Sequence, residues 1–328
     1  MNKEQLNALI GSMLDGSDAA AARLISLVEN EDLGREIIPM IHHKSRNAYT
    51  IGVTGPPGVG KSTLTEKLVL RLLQEKNREN TTPKIGILAI DPTSPFTGGA
   101  LLGDRIRLQE LSINPHVYIR SMASRGYLGG ISAATLDAAK ILEAFGCDYI
   151  IIETVGVGQS EVEIVQHVDT TLLILSPGLG DDIQALKAGV MEIADIFVIN
   201  KADREGVDRT LAEIEMLQKS SEQKDYLAPV VKTIARDNEG IAGLLEKITA
   251  HRQYLQESGK GEQNRKKRLK FELHHRINSL VSLKIAGLFA KIDTDKLIND
   301  IYNKKTDSYT VADDLVKTLI DNNKNWNG

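Results

Sequence analysis

The segment YTIGVTGPPGVGKST, residues 49–63, decides the fold of this chain. Its first six residues are rich in β-branched side chains, as is typical of a buried strand. Residues 55–62 match the pattern G-x-x-x-x-G-K-[ST]. Leucines at positions 64, 68 and 72 follow at helical spacing. A strand, a glycine-rich loop and a helix in this order place backbone N–H groups and a positive helix end around one anion. The segment therefore predicts a loop that binds the phosphates of a nucleoside triphosphate.

Each part of the loop has an expected role. Lys61 should neutralise the β- and γ-phosphates, and the Ser62 hydroxyl should ligate Mg²⁺. The phosphates should be bound by Gly55, Pro56, Pro57, Gly58, Val59, Gly60, Lys61, Ser62 and Thr63.

The rest of the chain alternates short apolar runs with amphipathic stretches. Near-continuous apolarity is typical of strands covered on both faces, and strand–helix alternation favours a mostly parallel, doubly wound α/β sheet. The predicted strands lie within residues 49–55, 84–91, 116–121, 147–154, 170–178, 193–201 and 228–235. The predicted helices between them are 61–74, 131–145, 183–192, 207–218 and 241–255.

Helical patterns flank this central part. We predict two N-terminal helices, residues 2–30 and 34–43, arranged as a hairpin. A polar linker after Leu255 should lead into a long helix over about 264–290, followed by helices near 294–302 and 311–322. The expected domains are residues 1–46, 47–256 and 257–328.

Composition excludes several classes of protein. Forty basic and forty-four acidic side chains among 328 residues give a formal net charge of −4, so we expect neither a nucleic-acid nor a membrane partner. The single Cys147 excludes an internal disulfide framework. Without a secretory leader pattern or an apolar run of about 18 residues, the expected location is the cytoplasm.

The sixth predicted strand ends in Asn200-Lys201-Ala202-Asp203. A carboxylate such as Asp203 can accept two hydrogen bonds from N1–H and the amino group of guanine, a donor pair that adenine lacks. Asn200 could tie neighbouring loops together, and the stem of Lys201 could cover the purine. The motif favours GTP over ATP. The end of the last strand, Thr233, Ile234 and Ala235, is the expected position of a backbone contact to the base.

Acidic residues at the same sheet edge are candidates for the metal site. Asp91 ends the second predicted strand, Glu153 ends the fourth, and Asp104 follows a glycine-rich stretch. Together with Ser62 they should hold or support Mg²⁺. Gly156 could donate its N–H to the γ-phosphate and so sense whether that phosphate is present.

Several residues are candidates for the group that activates the attacking water. Asp181, Asp182 and Lys187 could form a mobile segment that reaches the site, or only the acidic start of a helix. One of four arginines in candidate loops could act as an internal arginine finger: Arg105, Arg107, Arg120 or Arg125.

The long motifs identify a family. The strings GVTGPPGVGKST, AIDPTSPFTGGALLGDRIR, IIETVGVGQSE and GLGDDIQALKAGVMEIADIFVINKAD resemble the MeaB/ArgK-type GTPases over nearly the whole chain. At residues 233–235 the chain departs from the Ser-Ala pair that is more usual in the family.

The resemblance implies a cytoplasmic homodimer that hydrolyses GTP slowly with Mg²⁺. It implies association with an adenosylcobalamin-dependent acyl-CoA mutase, typically methylmalonyl-CoA mutase, and control of cofactor loading. The C-terminal helices resemble the family's dimerisation arm. Lys61, Glu153 and Lys187 are the expected catalytic residues, with Lys187 in the family's third switch. Two alternatives are a kinase acting on amino-acid-binding transport proteins and a nickel-insertion GTPase.

Overall fold

The described residues form a sheet of seven strands, all parallel, which confirms the predicted, mostly parallel α/β sheet. The computed structural model describes residues 1–30, 33–77, 79–91, 109–123, 133–154, 164, 167–178, 194–220, 226–289 and 292–321. The strands are β1 (Tyr49–Thr54), β2 (Ile85–Asp91), β3 (Val117–Ala123), β4 (Tyr149–Glu153), β5 (Thr170–Leu175), β6 (Ile196–Asn200) and β7 (Val230–Thr233). Their order in the sheet is β3-β2-β4-β1-β5-β6-β7.

The helices lie before, between and after these strands. In chain order they are α1 (Lys3–Leu14), α2 (Asp18–Asn30), α3 (Gly34–Ile41), α4 (Lys61–Leu72), α5 (Gln109–Ser112), α6 (Ala133–Ala144), α7 (Val207–Ser220), α8 (Ile241–Glu257), α9 (Lys260–Phe289), α10 (Thr294–Tyr302) and α11 (Ser308–Asp321). The helix predicted over 183–192 lies outside the described residues.

The core is built on both faces of the sheet. One face of β5 and β6 presents Leu172 and Val198 to the layer that contains α4 and α8, whereas the other presents Leu173 and Phe197 towards α7. All four side chains are almost completely buried. Alternation of buried apolar side chains explains why each strand reads as a continuous apolar run in the sequence.

The N-terminal region contains three α-helices instead of the predicted two. The long first helix is interrupted between Leu14 and Asp18, where Gly16 adopts a φ of +99° that a helix cannot contain. The region belongs to the same buried cluster as α6. An ion pair adds to this packing, since Arg120 on β3 lies 2.8 Å from Glu29 on α2.

The linker after α8 is shorter than predicted. Only Ser258 and Gly259 separate α8 from α9, and α9 begins at Lys260 instead of at about residue 264. Lys, Arg, Glu and Gln are good helix formers, so a polar composition did not indicate an irregular chain. The protein divides into two compact units, residues 1–264 and 265–328. Among the described helices, none combines the length and the apolar character needed to cross a bilayer.

A buried histidine lies against the amino-terminal end of β5, which is an inner strand of the sheet. His251 on α8 is 2% exposed, and its Nδ1 lies 2.7 Å from the Thr170 hydroxyl. Asp195 approaches its Nε2 at 3.5 Å, and the Tyr226 ring packs against the imidazole. Burial lowers the pKa of His251 to about 4, and the negative charge of Asp169 opposes this only in part.

We predict an acid-sensitive component of stability from His251. Its pKa in an unfolded chain is about 6.5, so between pH 6.5 and 4 the unfolded state binds a proton that the folded state excludes. The free energy of unfolding should therefore fall by about 2 kcal/mol from pH 7 to pH 5 on account of this one group. Urea unfolding of the natural protein and of His251→Phe at pH 7 and pH 5 measures this change in the free energy of unfolding. An equal pH dependence in the two proteins would contradict the assignment.

Candidate functional site

The phosphate loop connects β1 to α4 at the carboxyl edge of the sheet. Gly55 has a φ of +140°, and a Cβ at this position would lie 2.1 Å from the Ile174 carbonyl oxygen of the neighbouring strand. Gly60, the residue before α4, has a φ of +95°, and a Cβ there would meet the Asn200 amide at 2.5 Å. Both glycines are required by geometry, which explains why the motif places them at these two positions.

Lys61 is the first residue of α4, and its side chain folds back over the loop. Its Nζ donates to the carbonyl oxygens of Gly55 at 2.7 Å and Pro56 at 2.9 Å. The residue is 8% exposed, so the ammonium group lies inside the curl of the loop. This is the position from which a cation can reach phosphate oxygens that enter the loop.

Glu153 ends β4 directly beneath the start of α4. Its Oε1 accepts a hydrogen bond from the Ser62 hydroxyl at 2.7 Å, and its Oε2 accepts one from the Thr65 hydroxyl at 2.9 Å. All three residues are buried, with Glu153 only 4% exposed. A hydroxyl and a carboxylate are hard oxygen donors of the kind that Mg²⁺ prefers, so these residues fit a magnesium site.

Asn200 ties three segments of the site together. Its amide nitrogen donates to the Val59 carbonyl of the phosphate loop at 2.8 Å. Its carbonyl oxygen accepts from the Thr233 hydroxyl and from the Ala235 N–H, each at 3.1 Å. The side chain is 2% exposed and uses both ends of the amide. The sequence prediction that Asn200 joins loops is consistent with these contacts.

Lys201 and Asp203 follow at the same edge. Lys201 has a φ of +57°, and its Nζ donates to the Gly58 carbonyl at 2.6 Å, which places its stem across the mouth of the loop. The Asp203 side chain is 42% exposed, and its Oδ2 lies 3.9 Å from Arg236. Arg236 is itself held by Asp237 at 2.7 Å. An accessible carboxylate at this point can accept hydrogen bonds from a base.

The backbone at the end of β7 is already hydrogen-bonded within the protein. The N–H of Ile234 donates to Glu239 at 3.1 Å, and the N–H of Ala235 donates to Asn200. Thr233 contributes its hydroxyl to Asn200 as well. A contact from this run to the base therefore stays a prediction, and it would require one of these N–H groups to change partner.

Several predicted residues are not placed in the site. The backbone of Asp91 ends β2 at the carboxyl edge. The residues that lie outside the described part of the chain are Asp104, Gly156, Asp181, Asp182, Lys187, Arg105, Arg107 and Arg125. Arg120, a candidate arginine finger, donates instead to Glu29 and to the Ser26 hydroxyl. Its guanidinium thus contributes to the attachment of α2 to β3.

Sequence reasoning missed Thr65. The signal was its spacing: Thr65 lies three residues after Ser62, so the two hydroxyls fall on the same face of α4. In the sequence this threonine looked like one more polar residue in an amphipathic helix. Only the approach of β4 beneath the helix shows that both hydroxyls donate to a single carboxylate.

Comparison with known proteins shows the family to which this chain belongs. Residues 21–288 match the family described as methylmalonyl-CoA mutase-associated GTPase MeaB. A relative from Pyrococcus abyssi, whose name includes the word GTPase, is 48% identical over 96% of this chain and 97% of its own length. A Caenorhabditis elegans protein, named methylmalonic aciduria type A homolog, mitochondrial, is 34% identical over 95% of this chain and 82% of its own.

A solved structure shows the same architecture. The crystal structure titled LAO/AO transport system kinase superposes with a TM-score of 0.67 at 25% identity. The match covers 97% of this chain and 99% of that one. With a phosphate loop, an Asn-Lys-x-Asp motif at the same sheet edge and a family match over most of its length, this chain belongs to the MeaB family of GTPases.

Proposed function

We propose that this protein binds GTP with Mg²⁺ at the edge described above and uses GTP hydrolysis to control an adenosylcobalamin-dependent acyl-CoA mutase, with methylmalonyl-CoA mutase as the expected partner. The proposal that the protein binds GTP is supported above all by the contacts of Asn200. This side chain joins the phosphate loop at Val59 to the end of β7 at Thr233, next to the Asn-Lys-x-Asp motif. The partner is supported by the family description and by the name of the nematode relative. We expect the complex to form in the cytoplasm.

The residues around the phosphates have distinct roles in this proposal. When GTP enters, Lys61 exchanges its bonds to the Gly55 and Pro56 carbonyls for bonds to the β- and γ-phosphates. The backbone N–H groups of residues 58–63, which follow the two prolines of the loop, would hold the remaining oxygens. Bound Mg²⁺ would neutralise charge on the β- and γ-phosphate oxygens.

Further residues complete the hydrolytic site in our proposal. Ser62, Asp91, Asp104 and Glu153 hold or support the metal, and Gly156 donates its N–H to the γ-phosphate. Lys187, in the segment that resembles the family's third switch, would stabilise the developing charge. Water would then attack the γ-phosphorus in line while the bond from that phosphorus to the β–γ bridging oxygen breaks. GDP leaves, inorganic phosphate forms, and the proton that the water loses passes to phosphate or solvent.

A base-specificity experiment tests the proposed role of Asp203. In Asp203→Asn the side chain would donate where guanine also donates, so the affinity for GTP should fall by about 100-fold, as expected for a lost pair of charge-assisted hydrogen bonds. Xanthosine triphosphate carries a carbonyl in place of the guanine amino group, so its affinity should rise in the same variant. Equilibrium binding of both nucleotides to both proteins measures the switch. An unchanged preference for GTP would contradict the role of Asp203.

We also propose that the protein is a homodimer formed through α9. Apolar side chains on this helix are 39–59% exposed in the single chain and recur every three or four residues: Leu269, Leu273, Ile277, Leu280 and Leu283. A continuous apolar row of this kind on a helix is typical of an interface with another chain.

The oligomeric state can be tested by substitution in this row. Leu273→Glu combined with Ile277→Glu places charges in the proposed interface, so the mass in light scattering should fall from twice 36.0 kDa to 36.0 kDa. Met216→Glu on α7 is the matched control, because Met216 is 75% exposed and lies outside α9. A dimer that persists in the double variant would contradict an interface through α9.

Partner control is tested with purified proteins. Adenosylcobalamin-dependent methylmalonyl-CoA mutase is titrated in a calorimeter with this protein, loaded either with GDP or with a non-hydrolysable GTP analogue. Control by nucleotide requires a coupling free energy, so we expect affinities that differ at least about fivefold. Asp203→Asn, which should bind guanine nucleotides weakly, should lose the difference. Absence of binding in both nucleotide states would contradict the partner assignment.

A kinase is the second candidate function, because the similar crystal structure described above is titled LAO/AO transport system kinase. A kinase would transfer the γ-phosphate to a protein side chain, whereas a GTPase releases one inorganic phosphate for each GTP consumed. The ratio of phosphate released to GTP consumed, measured with an amino-acid-binding transport protein present, separates the two activities.

A further inference from the structure

The hydroxyl of Thr65 is used in an unusual way for a threonine inside a helix. Such hydroxyls commonly donate to the carbonyl four residues earlier in the same helix. Thr210 on α7 does this towards Gly206 at 3.2 Å, and Thr249 on α8 does it towards Leu245 at 2.9 Å. Thr65 instead donates its single proton to Glu153 on another element, at 2.9 Å.

The surroundings of Thr65 are apolar, so its hydroxyl would destabilise the folded protein if it had no hydrogen-bond partner. The residue is completely buried on the face of α4 that packs against the sheet, next to Leu64, Leu68 and Val69, which are equally buried. A valine would fill the same space without a polar group to satisfy. The polar contact with Glu153 is therefore the feature that distinguishes threonine at this position.

Two hydroxyls on one carboxylate fix its orientation. Thr65 holds Oε2 of Glu153, and Ser62 donates to Oε1 at 2.7 Å. A serine hydroxyl has one proton and two lone pairs, so the bond to Glu153 leaves the lone pairs of Ser62 available to a cation. The terminal torsion of Glu153 is soft, so loss of the bond from Thr65 removes one of the contacts that oppose a rotation of Oε1 away from Ser62.

We propose that Thr65 is a positioning residue for the magnesium site: its hydroxyl locks the Glu153 carboxylate so that Ser62 is presented to the metal in a ligating orientation. This inference rests on the proposed function, because it assumes that Mg²⁺ accompanies the nucleotide. Thr65 itself touches neither metal nor nucleotide in this arrangement. Its effect is transmitted through Glu153 and Ser62, and it should act on metal affinity more than on nucleotide affinity.

The experiment measures metal affinity without catalysis. The dissociation rate of a methylanthraniloyl-labelled, non-hydrolysable GTP analogue is followed over a range of free Mg²⁺ concentrations and in EDTA. Thr65→Val keeps the shape and removes the hydroxyl, whereas Thr65→Ser keeps the hydroxyl. In Thr65→Val, half-maximal slowing of release should need about tenfold more Mg²⁺, the size of one lost hydrogen bond to a charged group. The rate in EDTA should change by less than about twofold.

Controls separate the hydroxyl from packing. Thr65→Ser should follow the Mg²⁺ curve of the natural protein. Thr210→Val removes another buried hydroxyl, which donates to the Gly206 carbonyl directly before its own helix, and should leave that curve in place. If Thr65→Val does not fold, Thr65→Ala is measured in its place by the same criterion. A shift in Thr65→Ser as large as in Thr65→Val would overturn the proposal, because packing and not the hydroxyl would be responsible.

Two outcomes distinguish this inference from the proposed function. If the natural protein binds the analogue and responds to Mg²⁺, but Thr65→Val gives the same curve, the inference about Thr65 fails alone. If release from the natural protein does not respond to Mg²⁺, the magnesium site and the inference fail together. Absence of binding by the natural protein would overturn the proposed function itself.

Discussion

The Glu153 carboxylate is the constraint around which the site is organised. A carboxylate that is 4% exposed is stable only if hydrogen-bond donors or cations replace the water it has lost. Two of its donors are hydroxyls on consecutive turns of α4, and β4 brings the carboxylate to them because Glu153 lies beside Val53 of β1, just before the phosphate loop. The start of α4, the end of β4 and the loop between β1 and α4 are thereby held in one fixed relation.

Asn200 holds the phosphate loop from its other side. A neutral amide serves here because it must donate to one segment, the Val59 carbonyl, and accept from another, the Ala235 N–H. An aspartate could not donate to Val59, and a smaller residue could not span the gap. The phosphate loop is thus held from one side by hydroxyl–carboxylate bonds and from the other by an amide, while the Lys61 ammonium lies inside it.

Most of the sheet could be predicted from the sequence, whereas the ends of several helices could not. Strands covered on both faces read as apolar runs, so β1 to β7 were found in order. The break at Gly16 and the helical start of α9 at Lys260 were missed, because a glycine can occur within a predicted helix and a charged run is equally compatible with a helix or a linker. The sequence also indicated the phosphate loop and the Asn-Lys-x-Asp motif, because each keeps its functional residues within a few positions.

Contacts between distant parts of the chain could not be predicted in the same way. The bond from Thr65 to Glu153 joins residues 88 positions apart, and the pair of Arg120 with Glu29 joins residues 91 positions apart. Local periodicity carries no information about such pairs; they follow from the strand order, which places β4 beside β1 and brings β3 to the outer edge. Arg120 illustrates the consequence. In the sequence it was one of four candidates for an arginine finger. In the structure it lies on an edge strand beside α2, where its guanidinium contacts the Glu29 carboxylate, and a partly buried guanidinium is best stabilised by such a charge.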